Sequence, residues 1–165
     1  FTPEKFACGV DIVGPSNLET LLATIPPYWT PLVKLFHERM GNPNTEDGLA
    51  LLKAASPLYK ADRIVKPLLI AQGANDPRVK QAESDQIVGA MKAAGIPVTY
   101  VLYPDEGHGF AKPANNIAFY GIAENFLATC LGGRAEPLGG DLKPSTSQIV
   151  EGAEHVQGLK QALGS

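Results

Sequence analysis

No run of apolar residues in this sequence approaches the roughly 20 that a membrane-spanning helix needs, which argues against a membrane partner. Basic clusters are equally scarce. The densest, residues 60–66, holds three positive charges around Asp62 and reads as a solvated loop. With 14 Lys plus Arg against 17 Asp plus Glu, the balance is mildly acidic and argues against a nucleic-acid partner. Cysteine is sparse. Cys8 and Cys130 each sit in an apolar stretch and read as buried free thiols, and two of them are too few to decide a redox compartment. The three histidines are scattered without ligand spacing, so no metal site is expected, and nothing calls for a cofactor. No signal peptide opens the chain. It starts with Phe1 and not Met, so the natural N-terminus is expected elsewhere and the localisation stays open.

What is present is 165 residues, 44% of them hydrophobic, enough for one domain with a core but not for two. Residues 6–13 are a short apolar run broken by Asp11 and ended by Gly14-Pro15, which predicts a buried strand. Ser16 and Glu19 have the spacing of a capping box ahead of a helix over about 17–25. Thr30-Pro31 reads as an N-cap with proline at N1, opening a second helix that Gly41 closes. A third helix is expected near 45–54.

From residue 67 the rhythm changes. Residues 67–71 are apolar on both faces, as a parallel strand covered by helices requires. A polar loop leads to a helix over about 81–94, ended by Gly95 and Pro97. Residues 98–103, rich in β-branched and aromatic side chains, predict the next strand. A second loop leads to an amphipathic helix with the stripe Ile117, Tyr120, Ala123 or Glu124, Leu127, and Cys130 or Leu131. The alternation predicts an α/β fold with a mostly parallel sheet and helices on both faces, over residues 1–133. Residues 134–165 read as a C-terminal extension with one weakly periodic segment at 149–163, packed on the surface or partly disordered.

In an open α/β sheet, sites form outside the carboxyl ends of the strands. Two polar loops follow consecutive strands here, one carrying Asp76 and the other His108. The helix and strand between them form a crossover that sets neighbouring strand ends side by side, so the two side chains can meet. A buried carboxylate bonded to Nδ1 fixes the imidazole tautomer and leaves Nε2 to deprotonate a hydroxyl nucleophile. Asp76 before His108 is also the order of these groups in α/β-hydrolases. Gly107 and Gly109 would leave room for the ring and the substrate. Singly, an Asp after a strand is commonly a turn residue and a loop His commonly satisfied by its own loop; joint placement carries the reading. Asp105 and Glu106 compete as partners of His108 but are expected to shape the turn. Asp11 is either a pocket-rim residue or a strand end. Tyr28-Trp29 lines a pocket or anchors a helix start, and His37 and His155 read as surface or helix packing. A nucleophile is missing: Gly-x-Ser-x-Gly occurs nowhere, and Ser16 is explained by capping.

The strand at 67–71 running into Gln72-Gly73-Ala74-Asn75-Asp76-Pro77-Arg78-Val79, together with Tyr103-Pro104-Asp105-Glu106-Gly107-His108-Gly109-Phe110, resembles the prolyl oligopeptidase family of serine peptidases, in particular its acylaminoacyl-peptidase and dipeptidyl-peptidase-like branch. The resemblance covers roughly residues 1–131. It implies the C-terminal portion of an α/β-hydrolase fold, with Asp76 and His108 as catalytic-triad members. It also implies an upstream propeller and an upstream segment bearing the serine, without which the chain is expected to be inactive. The leading expectation is therefore peptide-bond hydrolysis in the intact parent, with a peptide as substrate. The alternatives are an esterase or dienelactone-type hydrolase, and a non-catalytic fragment with an interaction role. The strand near 6–10 is expected to lie beside the strand that feeds the serine. Its edge would then pair with that upstream segment or with a second copy of the chain, or leave the chain poorly stable and prone to aggregation.

Overall fold

In the computed structural model, which describes residues 1–164, four strands form one sheet in the order β1-β2-β3-β4. They are Gly9–Ile12 (β1), Leu68–Gly73 (β2), Val98–Tyr103 (β3) and Gln148–Glu151 (β4). The first three run parallel, and β4 runs antiparallel to β3. The helices are Leu18–Ala23 (α1), Val33–Met40 (α2), Glu46–Ala55 (α3), Gln81–Ala93 (α4), Pro113–Leu131 (α5) and Leu159–Leu163 (α6). The mixed sheet carries helices on both faces, as the sequence pattern predicts.

Strand alternation sorts the core. Leu69, Ala71, Val101 and Tyr103 face α5, where Ala118, Phe119, Ile122 and Phe126 meet them. Ile70, Val98 and Tyr100 face the other way, onto Ile87, Val88 and Met91 of α4. Each large apolar side chain buried in this way contributes about 1.5–3 kcal/mol. Because both faces are covered, β2 and β3 can be apolar without alternation, which is how the sequence presents them.

Five local expectations are corrected. The residues expected to cap α1 do something else. Asn17 is the N-cap, accepting from Glu19 N at 3.0 Å, while Ser16 Oγ donates to the Glu83 carbonyl at 2.6 Å. Glu83, 1% exposed, accepts from the amides of Ser16 and Asn17 at 3.0 and 2.8 Å. The amides just ahead of α1 are thus satisfied by a carboxylate from α4, and Leu18 N by Ser56 Oγ at 2.9 Å, long-range partners that spacing does not reveal. Thr30-Pro31 lies inside a 3-10 helix, Pro27–Leu32, and does not cap α2.

The stripe read on α5 is not its buried face. Tyr120 and Leu131 are 62% and 66% exposed, and Ile117 and Leu127 lie beside them on the outer side, next to Val10 and Ile12 of β1. The helix is apolar on both sides, so periodicity could not choose between them. β1 is an edge strand, so an unpaired strand edge and an apolar helix face adjoin.

The cysteines are not free thiols. Cys8 and Cys130, 122 residues apart in sequence, form a disulfide with Cα atoms 6.2 Å apart, and no described cysteine is free. Their apolar settings converge because the lead-in to β1 passes the last turn of α5.

Residues beyond 134 join the core and do not simply cover it. Leu138, Leu142, Val156 and Leu159 are buried in the cluster under α5, and β4 extends the sheet. The weak period at 149–163 conceals a four-residue edge strand followed by a 3-10 turn and α6, each too short to show a period.

Candidate active site

The register of β2 on β3, Gly73 opposite Tyr103, brings the two polar loops out of the sheet side by side. Asp76 sits in the first, 2% exposed. Its Oδ1 accepts from the amides of Arg78 at 2.8 Å and Val79 at 3.0 Å, so the loop folds around the carboxylate. Its Oδ2 lies 2.8 Å from His108 Nδ1. A carboxylate buried this deeply is tolerable because both oxygens are bonded. An ionised carboxylate only accepts, so Nδ1 carries the proton and the neutral ring has Nε2 as its acceptor. The imidazole is 32% exposed, and Nε2 makes no hydrogen bond among the described residues.

Backbone contacts stitch the two loops together. Ala74 N donates to Tyr103 O at 3.0 Å and Asn75 N to Glu106 O at 2.9 Å, and the Asn75 side-chain Nδ2 adds a bond to Pro104 O at 2.7 Å. Gln72, fully buried, donates to the carbonyls of Gly73 and Val79 at 3.0 and 3.1 Å and accepts from Ser84 Oγ at 2.9 Å. It thereby ties the Asp76 loop to α4. Sequence reasoning passed over Gln72; a glutamine closing an otherwise apolar strand was the available signal.

Gly73 is where the loops touch: a Cβ there would stand 2.2 Å from Gly107 O and 2.7 Å from Glu106 C. Gly73→Ala is therefore expected to force the loops apart, lowering stability by about 1–3 kcal/mol. The low-field Nδ1 proton signal of His108 should be lost with it. Denaturant unfolding and proton NMR would test this, and an unchanged signal would contradict the contact. Gly109 serves its backbone, with φ at +109°, where open space surrounds the missing Cβ. Room for the ring is not the reason for either loop glycine.

The neighbours that competed for His108 are engaged elsewhere. The Glu106 carboxylate accepts from the amides of Ala111 and Lys112 at 3.0 and 2.9 Å and from the Asn115 amide at 2.9 Å. Burial would raise its pKa, but those bonds outweigh burial and hold it below the usual range. Asp105 pairs with Lys112, which with Thr146 and Asn115 draws its pKa down to about 2. Both shape the loop, and Asp76 takes the imidazole. Asp11 packs against Gly14, and burial raises its pKa against the opposing Gly14 amide. It lies within β1, one residue before its end, and makes no hydrogen bond to Asp76 or His108.

Tyr28 reaches the Asp76 loop, where Arg78 Nε donates to its hydroxyl at 3.4 Å, while Trp29 packs edge-on against Phe36 at 5.7 Å. His37 lies on α2 and His155 pairs with Glu154 at 3.7 Å, and neither is hydrogen-bonded to Asp76 or His108. No described cluster of three His, Cys, Asp or Glu side chains is arranged to hold a metal. The hydroxyls of Ser16, Ser56, Ser84, Ser145 and Ser147 are all bonded to groups other than His108. The arrangement is an imidazole oriented by a buried carboxylate, with its outer nitrogen, Nε2, on the partly exposed side of the ring.

Residues 1–134 match the model of the prolyl oligopeptidase family, Peptidase_S9. The chain is 64% identical over 163 residues to dipeptidyl aminopeptidase BIII of Pseudoxanthomonas mexicana, covering 99% of this chain and 24% of that protein. It is 56% identical over 139 residues to dipeptidyl peptidase family member 6 of Caenorhabditis elegans, covering 84% of this chain and 19% of that one. Among solved structures it superposes on a puromycin-hydrolyzing peptidase of Mycobacterium tuberculosis with a TM-score of 0.70 at 26% identity, covering 79% of this chain and 19% of that one. It shares its fold with an acylaminoacyl peptidase of Pyrococcus horikoshii, with a TM-score of 0.64 at 21% identity, covering 77% and 20%. The chain spans about a quarter or less of the length of these curated relatives.

Proposed function

The chain belongs to the prolyl oligopeptidase family of serine peptidases, and from that premise we propose that the full-length protein hydrolyses peptide bonds with Asp76 and His108 as two members of its catalytic triad. The observation that carries this reading is the 2.8 Å contact between Asp76 Oδ2 and His108 Nδ1 at the ends of adjacent parallel strands. His108 Nε2 takes the proton of a serine hydroxyl as its oxygen attacks the scissile carbonyl. The proton passes to the departing amine, and water then cleaves the acyl-enzyme with the same imidazole as base. Asp76 holds the ring in register and stabilises the imidazolium that forms.

The serine is to come from an upstream segment, and we place that segment along the free edge of β1. The exposed apolar side of α5 beside that edge supports the placement, because an added strand and its helix would cover both. A second copy of the chain fits less well. It brings no Gly-x-Ser-x-Gly, and two-fold pairing of identical edge strands is antiparallel, whereas β1 continues a parallel run.

The 64% identity to a dipeptidyl aminopeptidase supports release of dipeptides from free N-termini. Turnover of dipeptidyl anilides by the full-length protein, with free against acylated N-termini, tests this. The expected outcome is cleavage of the free-amine substrates and labelling of one serine by a fluorophosphonate. A folded protein that neither cleaves nor labels would overturn the reading.

A further inference from the structure

The family match ends at residue 134, yet the loop that carries His108 is held from beyond that point. The loop closes on itself through Glu106, whose carboxylate binds the amides of Ala111 and Lys112, and through the Asp105–Lys112 ion pair. Asn115, 1% exposed at the start of α5, joins these two carboxylates: its amide nitrogen donates to Glu106 Oε1 at 2.9 Å and lies 3.1 Å from Asp105 Oδ1. The other end of that amide faces the extension. Asn115 Oδ1 accepts from Thr146 N at 2.9 Å, and the Thr146 hydroxyl donates to Asp105 Oδ1. Thr146 stands just before β4, and β4 pairs with β3, the strand from which the His108 loop departs. Sheet, extension and loop therefore form a closed circuit at the base of the loop that carries His108.

We propose that residues 135–164 form a latch on the catalytic loop, with Thr146 as a positioning residue that holds His108 in register through Asn115 and Asp105. This rests on the reading of His108 as general base. The argument is one of degrees of freedom. The loop's own bonds close it as a unit, but a closed unit can still tilt on its two stems. The bonds to Asp105 and Asn115 from a separate segment, itself fixed to the sheet, remove that tilt. Asp105, with its lowered pKa, is an ionised acceptor at neutral pH, which strengthens the bond that Thr146 makes.

The test is Thr146→Val in the full-length protein, which keeps size and the backbone bond but removes the hydroxyl, with Thr146→Ser as the conservative partner. Thr146→Val is expected to speed amide hydrogen exchange in residues 106–112 and to lower kcat about tenfold with KM within twofold, because small misplacements of a base are costly. Thr146→Ser is expected to restore both. Unchanged exchange, or faster exchange with unchanged kcat, would overturn the proposal. So would a fall that Thr146→Ser fails to rescue and that tracks a loss of overall stability. If the wild-type protein cleaves no peptide, the peptidase reading fails by itself. The exchange measurement then decides alone whether Thr146 holds the loop.

Discussion

His108→Ala in the full-length protein is expected to lower kcat by about 10⁶, and Asp76→Asn by about 10⁴, with both variants folded. The two figures differ for a physical reason. Removing the imidazole removes both the base that activates the hydroxyl and the acid that protonates the leaving amine. Replacing Asp76 leaves an imidazole in place but exchanges an acceptor for a group that can donate. The ring then presents the wrong tautomer, with the proton on Nε2, where an acceptor is needed. The bonds from Arg78 N and Val79 N to Oδ1 should keep the loop shaped, provided the new amide turns its oxygen toward them. The loss in Asp76→Asn should therefore appear in kcat and not in the unfolding midpoint. A folded His108→Ala protein that turns over peptides at the wild-type rate would remove the mechanism. An Asp76→Asn protein unimpaired in kcat would remove Asp76 from it while leaving His108 in place.

The pair was legible in the sequence because its signal is local and ordered: a polar loop after each of two strands, an acid in the first and an imidazole in the second. Topology then does the rest, since a helix crossover between parallel strands leaves their carboxyl ends adjacent. What positions the pair was not legible. Gln72 acts through Ser84, 12 residues on, and Asn115 meets Thr146 across 31 residues, and each belongs to a residue type found in loops everywhere. The same limit explains Glu83, whose carboxylate replaces the expected capping box 67 residues away. The misread face of α5 has another origin. A helix apolar all round has no preferred side, and only the position of the sheet decides which stripe is covered. For the cysteines, composition spoke of apolar surroundings, but whether two such surroundings coincide is a question of tertiary structure.

That coincidence leads to the other large effect. Cys130→Ser is expected to lower the stability of this domain by about 2–5 kcal/mol, against a total of roughly 5–15 kcal/mol for a typical domain. The bond joins residues 122 apart, and the chain-entropy account of so long a loop places its contribution near the top of the range, at about 5 kcal/mol. It ties the lead-in of β1 to the last turn of α5, so its loss should free the edge strand first. Cys8 enters β1 at the amino end of the strand, whereas Asp76 and His108 follow the carboxyl ends of β2 and β3. The bond therefore holds the end of the sheet opposite the reacting groups. Its removal should leave the kcat of the folded fraction unchanged while shifting the urea midpoint. Cys8→Ser, Cys130→Ser and the double variant should shift it equally, since all three delete one bond, and reduction of the wild type should reproduce the shift. Additive losses in the double variant would mean that each sulfur contributes by packing alone. An oxidised wild type in which both thiols react after unfolding would show that the bond does not form.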